Sequence, residues 1–438
     1  MGSQQESKKK PRRWLRACGC LLLGLLLLLV LAFFQRKRIY DRIGGAFTRT
    51  PAQVDELSLA ASKLVDQAFA GLDRSRLVDV HVHLAGLGTD DSGCELHPHM
   101  QSWSSPRRRA RFEVYLHASG VADMEHADAE FVERIADLAR HFRSRGEAPI
   151  GPDAPGARFA LLAFDRFYSE EGESDPERTE FHVPNEWVWK AVEDHPGLFV
   201  PVLSIHPYRK DAVEQLEAWA DRGVRLIKWL PNAMGIDPSS PLCDEFYAAM
   251  VRRDVTLLTH TGHEMAVEAE ELQVLGDPLR LRRALDAGVR VIAAHCASTG
   301  TVTAEDGTVR PAFEAFLQLM GEERYEGLLY GELSTLTQLN RLGRPLEVVL
   351  ARDDLRGRYI NGSDYPLPAI SLLYSTRQLE GGGWITASER KALQEVYDVN
   401  PLLFDFVLKR TLRHPRTGQR LEDQDFEWPA DVPLFEPN

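Results

Sequence analysis

Leu77-Val78-Asp79-Val80-His81-Val82-His83 reads as a short apolar strand that runs into two histidines. Side chains at i and i+2 of a strand point to the same side, so the imidazoles of His81 and His83 can reach one metal ion. A doubly wound dinucleotide fold would want a glycine-rich phosphate turn after its first strand, and that turn is absent here. Two surface histidines are the plainer reading of the pair taken alone. A second pair, His97-Pro98-His99, follows no strand and is broken by Pro98, so it is read as a surface pair.

The rest of the chain places that strand in a repeat. From Arg76 on, β-branched or Leu-rich runs alternate with loops and helical stretches. The runs are 77–80, 159–164, 198–205, 224–229, 255–259, 289–294, 328–333 and 359–362. Between them lie amphipathic helices. Phe131, Ile135, Leu138 and Phe142 share one face at helical spacing, and an Asp-x-x-Glu cap at Asp211 opens a helix ending near Gly223. Strands alternating with helices imply a parallel sheet. Eight such units fit a TIM-type (β/α)₈ barrel better than an open sheet. The 84–158 connection is far longer than usual and is expected to be a cap over the catalytic face. The pocket is expected to come mostly from that insertion and from the loops at 231–243 and 299–312.

Polar residues end these runs. Lys228 closes 224–229, His260 follows 255–259, His295 follows 289–294, and Asp364 stands just past 359–362. A polar residue at one strand end is ordinarily a loop cap. In a parallel barrel all strand C-termini open onto one face, so these residues would converge with His81 and His83. Each is of a type suited to a hard or borderline metal.

With these pieces assembled, the chain resembles the amidohydrolase superfamily, in its amidohydrolase-related branch. The matching stretches are Val78 to His83, Pro184-Asn185-Glu186-Trp187-Val188, His195 to Val202, Leu258-Thr259-His260-Thr261-Gly262, Ala294-His295-Cys296, Gly362-Ser363-Asp364-Tyr365-Pro366 and Asn400-Pro401. The resemblance implies that His81, His83 and His260 ligate a divalent metal, zinc in first place, as one or two ions. It implies that Asp364 contacts the metal and accepts a proton from water. It implies that His295 polarises substrate, shuttles a proton or ligates a second metal. Lys228 has three readings: a carboxylated lysine bridging two ions, a pocket cation for an anionic substrate, or a lysine snorkelling to the rim. His206, His263 and Glu332 are candidate substrate contacts.

The implied chemistry is hydrolysis of a C–N or C–O bond in an amide, lactone or other ester of small-molecule size, by metal-activated water. A lyase that decarboxylates or hydrates an acid on the same centre is the alternative, with Lys228 and the Arg107-Arg108-Arg109 stretch holding a carboxylate. An anchored binding protein without activity is the third reading. A serine or cysteine nucleophile is disfavoured. No Gly-x-Ser-x-Gly elbow occurs, and Cys296, beside His295, would point to the opposite side of the strand.

Charge separates the ends of the chain. Residues 1–50 carry a net +9, and the whole chain carries −13, which leaves −22 for residues 51–438. An acidic globular part argues against nucleic acid as a partner. Residues 17–34 form an uncharged apolar run of roughly 27 Å as a helix, about one hydrocarbon core. They are expected to be a single membrane anchor flanked by a basic segment at 1–16. The greater basic excess before the run would place the catalytic part outside the cytoplasm, in the periplasm of a bacterium. No small-x-small cleavage pattern follows the run, which disfavours a signal peptide. A linker and helix are expected over 35–75, the barrel over 76–410 and a tail over 411–438. Cys94, Cys243 and Cys296 are too few and too scattered for a disulfide framework or a zinc site.

Overall fold

The structure, a computed structural model, describes residues 50–146, 156–304 and 306–435, with Cys20, Leu21, Leu23, Gly24, Gln35, Arg38 and Ile43. Eight strands form one sheet: β1 Val78–His83, β2 Arg158–Leu162, β3 Phe199–Leu203, β4 Leu226–Trp229, β5 Thr256–His260, β6 Val291–Ala294, β7 Leu329–Glu332 and β8 Tyr359–Ile360. Their order in the sheet follows their order in the chain, and every ladder between neighbours is parallel. Each coincides with one of the expected runs. Strands covered on both faces read as continuous apolar runs rather than alternating ones, and β3, β4 and β5 are buried at every position.

The seam between β8 and β1 has no extended ladder. It is drawn together by three backbone hydrogen bonds: Val80 N–H to Asn361 O at 3.0 Å, Asp364 N–H to His81 O at 2.8 Å and His83 N–H to Tyr365 O at 2.9 Å. A parallel bridge pairs Val82 with Tyr365. The sheet is thus a nearly closed TIM barrel, and its seam runs beside two residues of interest, His81 and Asp364.

Four helices bear on the site. α1 (Leu59–Phe69) and α4 (Pro401–Thr411) pack against the barrel with α3 (Ala127–Arg143). The stripe of Phe131, Ile135, Leu138 and Phe142 on α3 is buried, and Phe142 meets the rings of Phe69, Phe159 and Phe406. Asn400 caps α4, accepting from Leu402 N–H and Leu403 N–H. The fourth, α2 (Pro106–Ser119), lies over the barrel mouth. The single helix expected within 35–75 is two, Pro51–Val54 and α1.

The membrane anchor expected at 17–34 is not supported. No helix among the described residues is long and apolar enough to cross a membrane. Most of 17–34 lies outside the described residues; Leu21 and Leu23, which are described, are helical and exposed. The single-pass membrane location and the orientation inferred from it fall with the anchor.

Candidate active site

The C-terminal ends of the strands bring six of the expected residues to one point. His81 and His83 end β1, and their ring Nε2 atoms are 3.2 Å apart. Asp364 Oδ1 lies 2.7 Å from His83 Nε2 and 3.4 Å from His81 Nε2. Lys228 Nζ, from β4, is 3.2 Å from His81 Nε2. The His295 ring stacks on that of His81 with centroids 5.1 Å apart and meets His260 at 5.0 Å. Lys228 is 1% exposed, so it does not snorkel to the rim.

Three histidines are held from behind through Nδ1. For His81 the partner is Glu332 Oε2 at 3.2 Å, and for His295 it is Ser334 Oγ at 2.7 Å. For His260 it is Glu264 Oε2 at 3.5 Å. Partners of this kind fix tautomer and ring orientation, leaving Nε2 as the free electron pair. Glu332 is itself pinned: it accepts from Ser334 N–H at 2.6 Å, Ser334 O–H at 2.7 Å and His295 N–H at 3.1 Å. It is fully buried beneath His81.

The backbone at two of these positions is forced. Asp364 has φ 60°, and His295, Cys296 and Ala297 have φ of 60°, 50° and 49°. Left-handed conformations cost a non-glycine residue about 1–3 kcal/mol each and persist where surroundings impose them. Here they turn the chain sharply at the ends of β6 and β8.

Burial and charge set the titration of the group. His81, His260 and His295 are held well below the usual imidazole range, chiefly by burial and then by nearby cations, Lys228 for the first two and Arg341 for the third. They are therefore neutral, the form that donates an electron pair to a metal. Burial brings the Lys228 ammonium down to about 8, against the pull of Asp364, Glu332 and Glu264. Burial would raise Asp364, but His81 and His83 outweigh it and keep the carboxyl low.

The donor set fits a divalent ion. Ligands about 2.0–2.2 Å from zinc lie roughly 3.3 Å apart in a tetrahedral shell, close to the spacing of His81 Nε2, His83 Nε2 and Asp364 Oδ1. His260 Nε2 is buried and has no hydrogen-bond partner, which suits a nitrogen reserved for an ion. His81, His295 and Glu332 form a second candidate group that shares His81.

The centre lies at the floor of a large open cavity. Its walls are Leu84 to Leu87 after β1, Phe112, Tyr115 and Leu116 of α2, and Phe131 of α3, with residues 264–267, Gln338, Asn340, Arg341, Pro366, Leu367 and Leu373. The loops at 231–243 and 299–312, expected to shape the pocket, do not line it. The first folds onto its own side of the barrel, where Tyr247 O–H donates to Pro238 O. The second pairs with itself as a ribbon, Thr301–Thr303 with Val309–Pro311.

Three candidate substrate contacts lie elsewhere. His206 is buried between strand ends, its Nε2 2.9 Å from Met234 O, away from the cavity. His263 packs against Gly300 in the β5 and β6 loops. Glu332 lies under the centre rather than on the wall. Arg108 and Arg111 pair with Glu268, and Arg108 also with Glu180. Arg109 pairs with Glu113. Arg108 and Arg111 thus fasten α2 to its neighbours, and the Arg107-Arg108-Arg109 stretch does not line the cavity. Sequence reasoning missed Glu264, Ser334 and Arg341. Glu264 stands one helical turn after His260 in sequence, and Ser334 two residues after Glu332; those spacings were the available signals.

Fold and centre together define a TIM-barrel protein with a candidate metal site on the C-terminal face. The Amidohydrolase family profile matches residues 78–369, and the chain belongs to the amidohydrolase family. No curated protein matches the sequence. Among solved structures, one assigned as a 2-pyrone-4,6-dicarboxylic acid hydrolase from Pseudomonas putida is 15% identical, with TM-score 0.39, over 78% of this chain and 95% of that one. The 5-carboxyvanillate decarboxylase from Sphingomonas paucimobilis is 11% identical, with TM-score 0.36, over 72% and 95%. A 2,6-dihydroxybenzoate decarboxylase is 10% identical, with TM-score 0.41, over 73% and 98%. Likeness at this level carries no weight for the reaction.

Proposed function

We propose that the chain hydrolyses a C–N or C–O bond, in an amide, lactone or other ester of small-molecule size, with one zinc ion held by His81, His83, His260 and Asp364. The observation that carries this reading is the clustering of His81, His83 and Asp364, with His260 lining the same cavity, and with His81 and His260 held from behind by the buried carboxylates Glu332 and Glu264. Bound zinc supplies Lewis-acid activation of water and of the scissile carbonyl. Asp364, low in pKa and hydrogen-bonded to His83, is the group positioned to take the proton from attacking water. His295, its Nδ1–H donated to Ser334 Oγ, presents the Nε2 lone pair to the cavity, where it can accept a proton and pass it on to the leaving group. Lys228 adds a positive charge beside His81 and is not carboxylated in this reading.

The deciding experiment is Asp364→Asn assayed on a panel of amides, lactones and esters. A fall in kcat of about 10²-fold or more, with folding retained, is expected; unchanged turnover on an authentic substrate would end the proposal. Zinc content should be near one per chain in the wild type and in Lys228→Met. Two equivalents with a carbon dioxide adduct on Lys228 would make the centre binuclear.

A second reading, a lyase that releases carbon dioxide from an acid, is favoured by two buried cations around the cavity, Lys228 and Arg341. Carbon dioxide formed without incorporation of solvent oxygen would select it.

A further inference from the structure

Arg341 enters the cavity wall from the loop after β7. It is only 7% exposed. Its Nη1 donates to Ser298 Oγ at 2.9 Å, and its Nε is buried with no hydrogen-bond partner. Among the described residues it makes no ion pair. The nearby carboxylates are engaged elsewhere: Glu264 accepts from Ala266 N–H and from Val267 N–H at 3.1 Å, and Asp364 faces His83. A buried guanidinium without an anionic partner is costly, and its planar fork matches a carboxylate.

The surroundings of Arg341 are of the opposite kind. Most of the wall is apolar, with Leu84, Leu96, Phe112, Leu116, Phe164 and Leu373 around the same cavity. Lys228, the other buried cation there, lies against His81 at the floor. One cationic anchor in an apolar chamber suits one anionic group on an apolar body, and suits a polyacid poorly.

We propose that Arg341 anchors a single carboxylate of the substrate, and that the wall contributed by the cap and α2 takes an aromatic or alkyl body. The inference rests on the reading of this cavity as the active site and adds the class of substrate, an apolar monoacid. Arg341 then acts as a specificity residue, distinct from the groups that carry the reaction.

The test is calorimetric titration of the zinc-loaded full chain with 4-phenylbutyrate, its neutral amide and the short diacid glutarate. The monoacid should bind about tenfold tighter than the amide, the difference a charged hydrogen bond makes, and tighter than glutarate. Arg341→Gln should abolish the preference for acid over amide, and Arg341→Lys should restore part of it. Leu116→Asn should weaken acid and amide alike. Equal binding of acid and amide by the wild type would overturn the proposal. So would an acid preference that survives in a folded Arg341→Gln, since the carboxylate would then be held by the ion. Binding is read without turnover, so the two readings fail separately. Acid preference lost with Arg341 in a chain that hydrolyses nothing would sink hydrolysis alone. Efficient hydrolysis without acid preference would sink this inference alone.

Discussion

Glu332 Oε2 lies 3.2 Å from His81 Nδ1, and the carboxylate has no exposure to solvent. Its charge strengthens His81 as a donor, and its bonds to Ser334 and to His295 N–H hold the pair in place. Glu332→Gln keeps the shape and removes the charge. Zinc affinity in a chelator competition should fall about 10–100-fold, the usual effect of losing such a partner. Unchanged affinity would mean that the carboxylate does not tune His81.

Metal removal has a thermal consequence. A ligand present at a hundred times its Kd stabilises the folded chain by about 2.7 kcal/mol. In a domain of this size that corresponds to roughly 3–4 °C in apparent Tm. Scans at one rate, with and without chelator, should show that difference, and His260→Ala should erase it. Identical curves for treated and untreated wild type would argue that the folded chain carries no ion.

On the opposite side of the β8 segment from the cavity, α4 supplies a buried pair. Lys409 Nζ lies 2.5 Å from Asp405 Oδ2 and 2.5 Å from Gly362 O. Burial pushes the Asp405 carboxyl up to about 7 although Lys409 pulls it down; an ordinary aspartate titrates near 3.8. Between those values the folded chain holds a proton that the unfolded chain has released. The stability from this group is therefore complete below about 3.8 and is lost as pH rises through about 7. Urea unfolding across that window should show a shallower fall with pH in Asp405→Asn than in the wild type. Parallel profiles would mean that Asp405 titrates alike folded and unfolded.

Gly362, just past β8, lies against Glu332 and His81. A Cβ there would lie 2.3 Å from Glu332 Oε1 and 2.8 Å from His81 Cβ. Gly362→Ala must displace one of them, and overpacking of this kind costs about 1–3 kcal/mol. The variant should unfold at lower denaturant and bind zinc more weakly. Wild-type values for both would show that the seam can open without disturbing Glu332.

The barrel was legible because its strands are short apolar runs, each ending in polar groups, a pattern that one sequence displays without help. The placing of His81, His83, Lys228, His260, His295 and Asp364 on one face was legible for the same reason: strand ends are places that topology brings together. What strand position does not reveal is which way a loop residue turns. His206 and His263 were candidate substrate contacts on paper, yet one bonds Met234 O and the other rests on Gly300. Arg341 and Glu264 sit in loops with no periodicity to announce them. The length of 84–158 was readable, and so was the apolar stripe of α3 within it, but not the helix α2 over the barrel mouth.

Arg108 and Arg111 tie α2 to Glu268 on the loop after β5, and Tyr115 O–H donates to Ala266 O beside it. The roof of the chamber and the bed of histidines below thus come from separate stretches of chain. Inheritance can rewrite one without the other. Lineages that vary the roof would explore new molecules while their reaction stayed fixed, and diversity should concentrate in that segment.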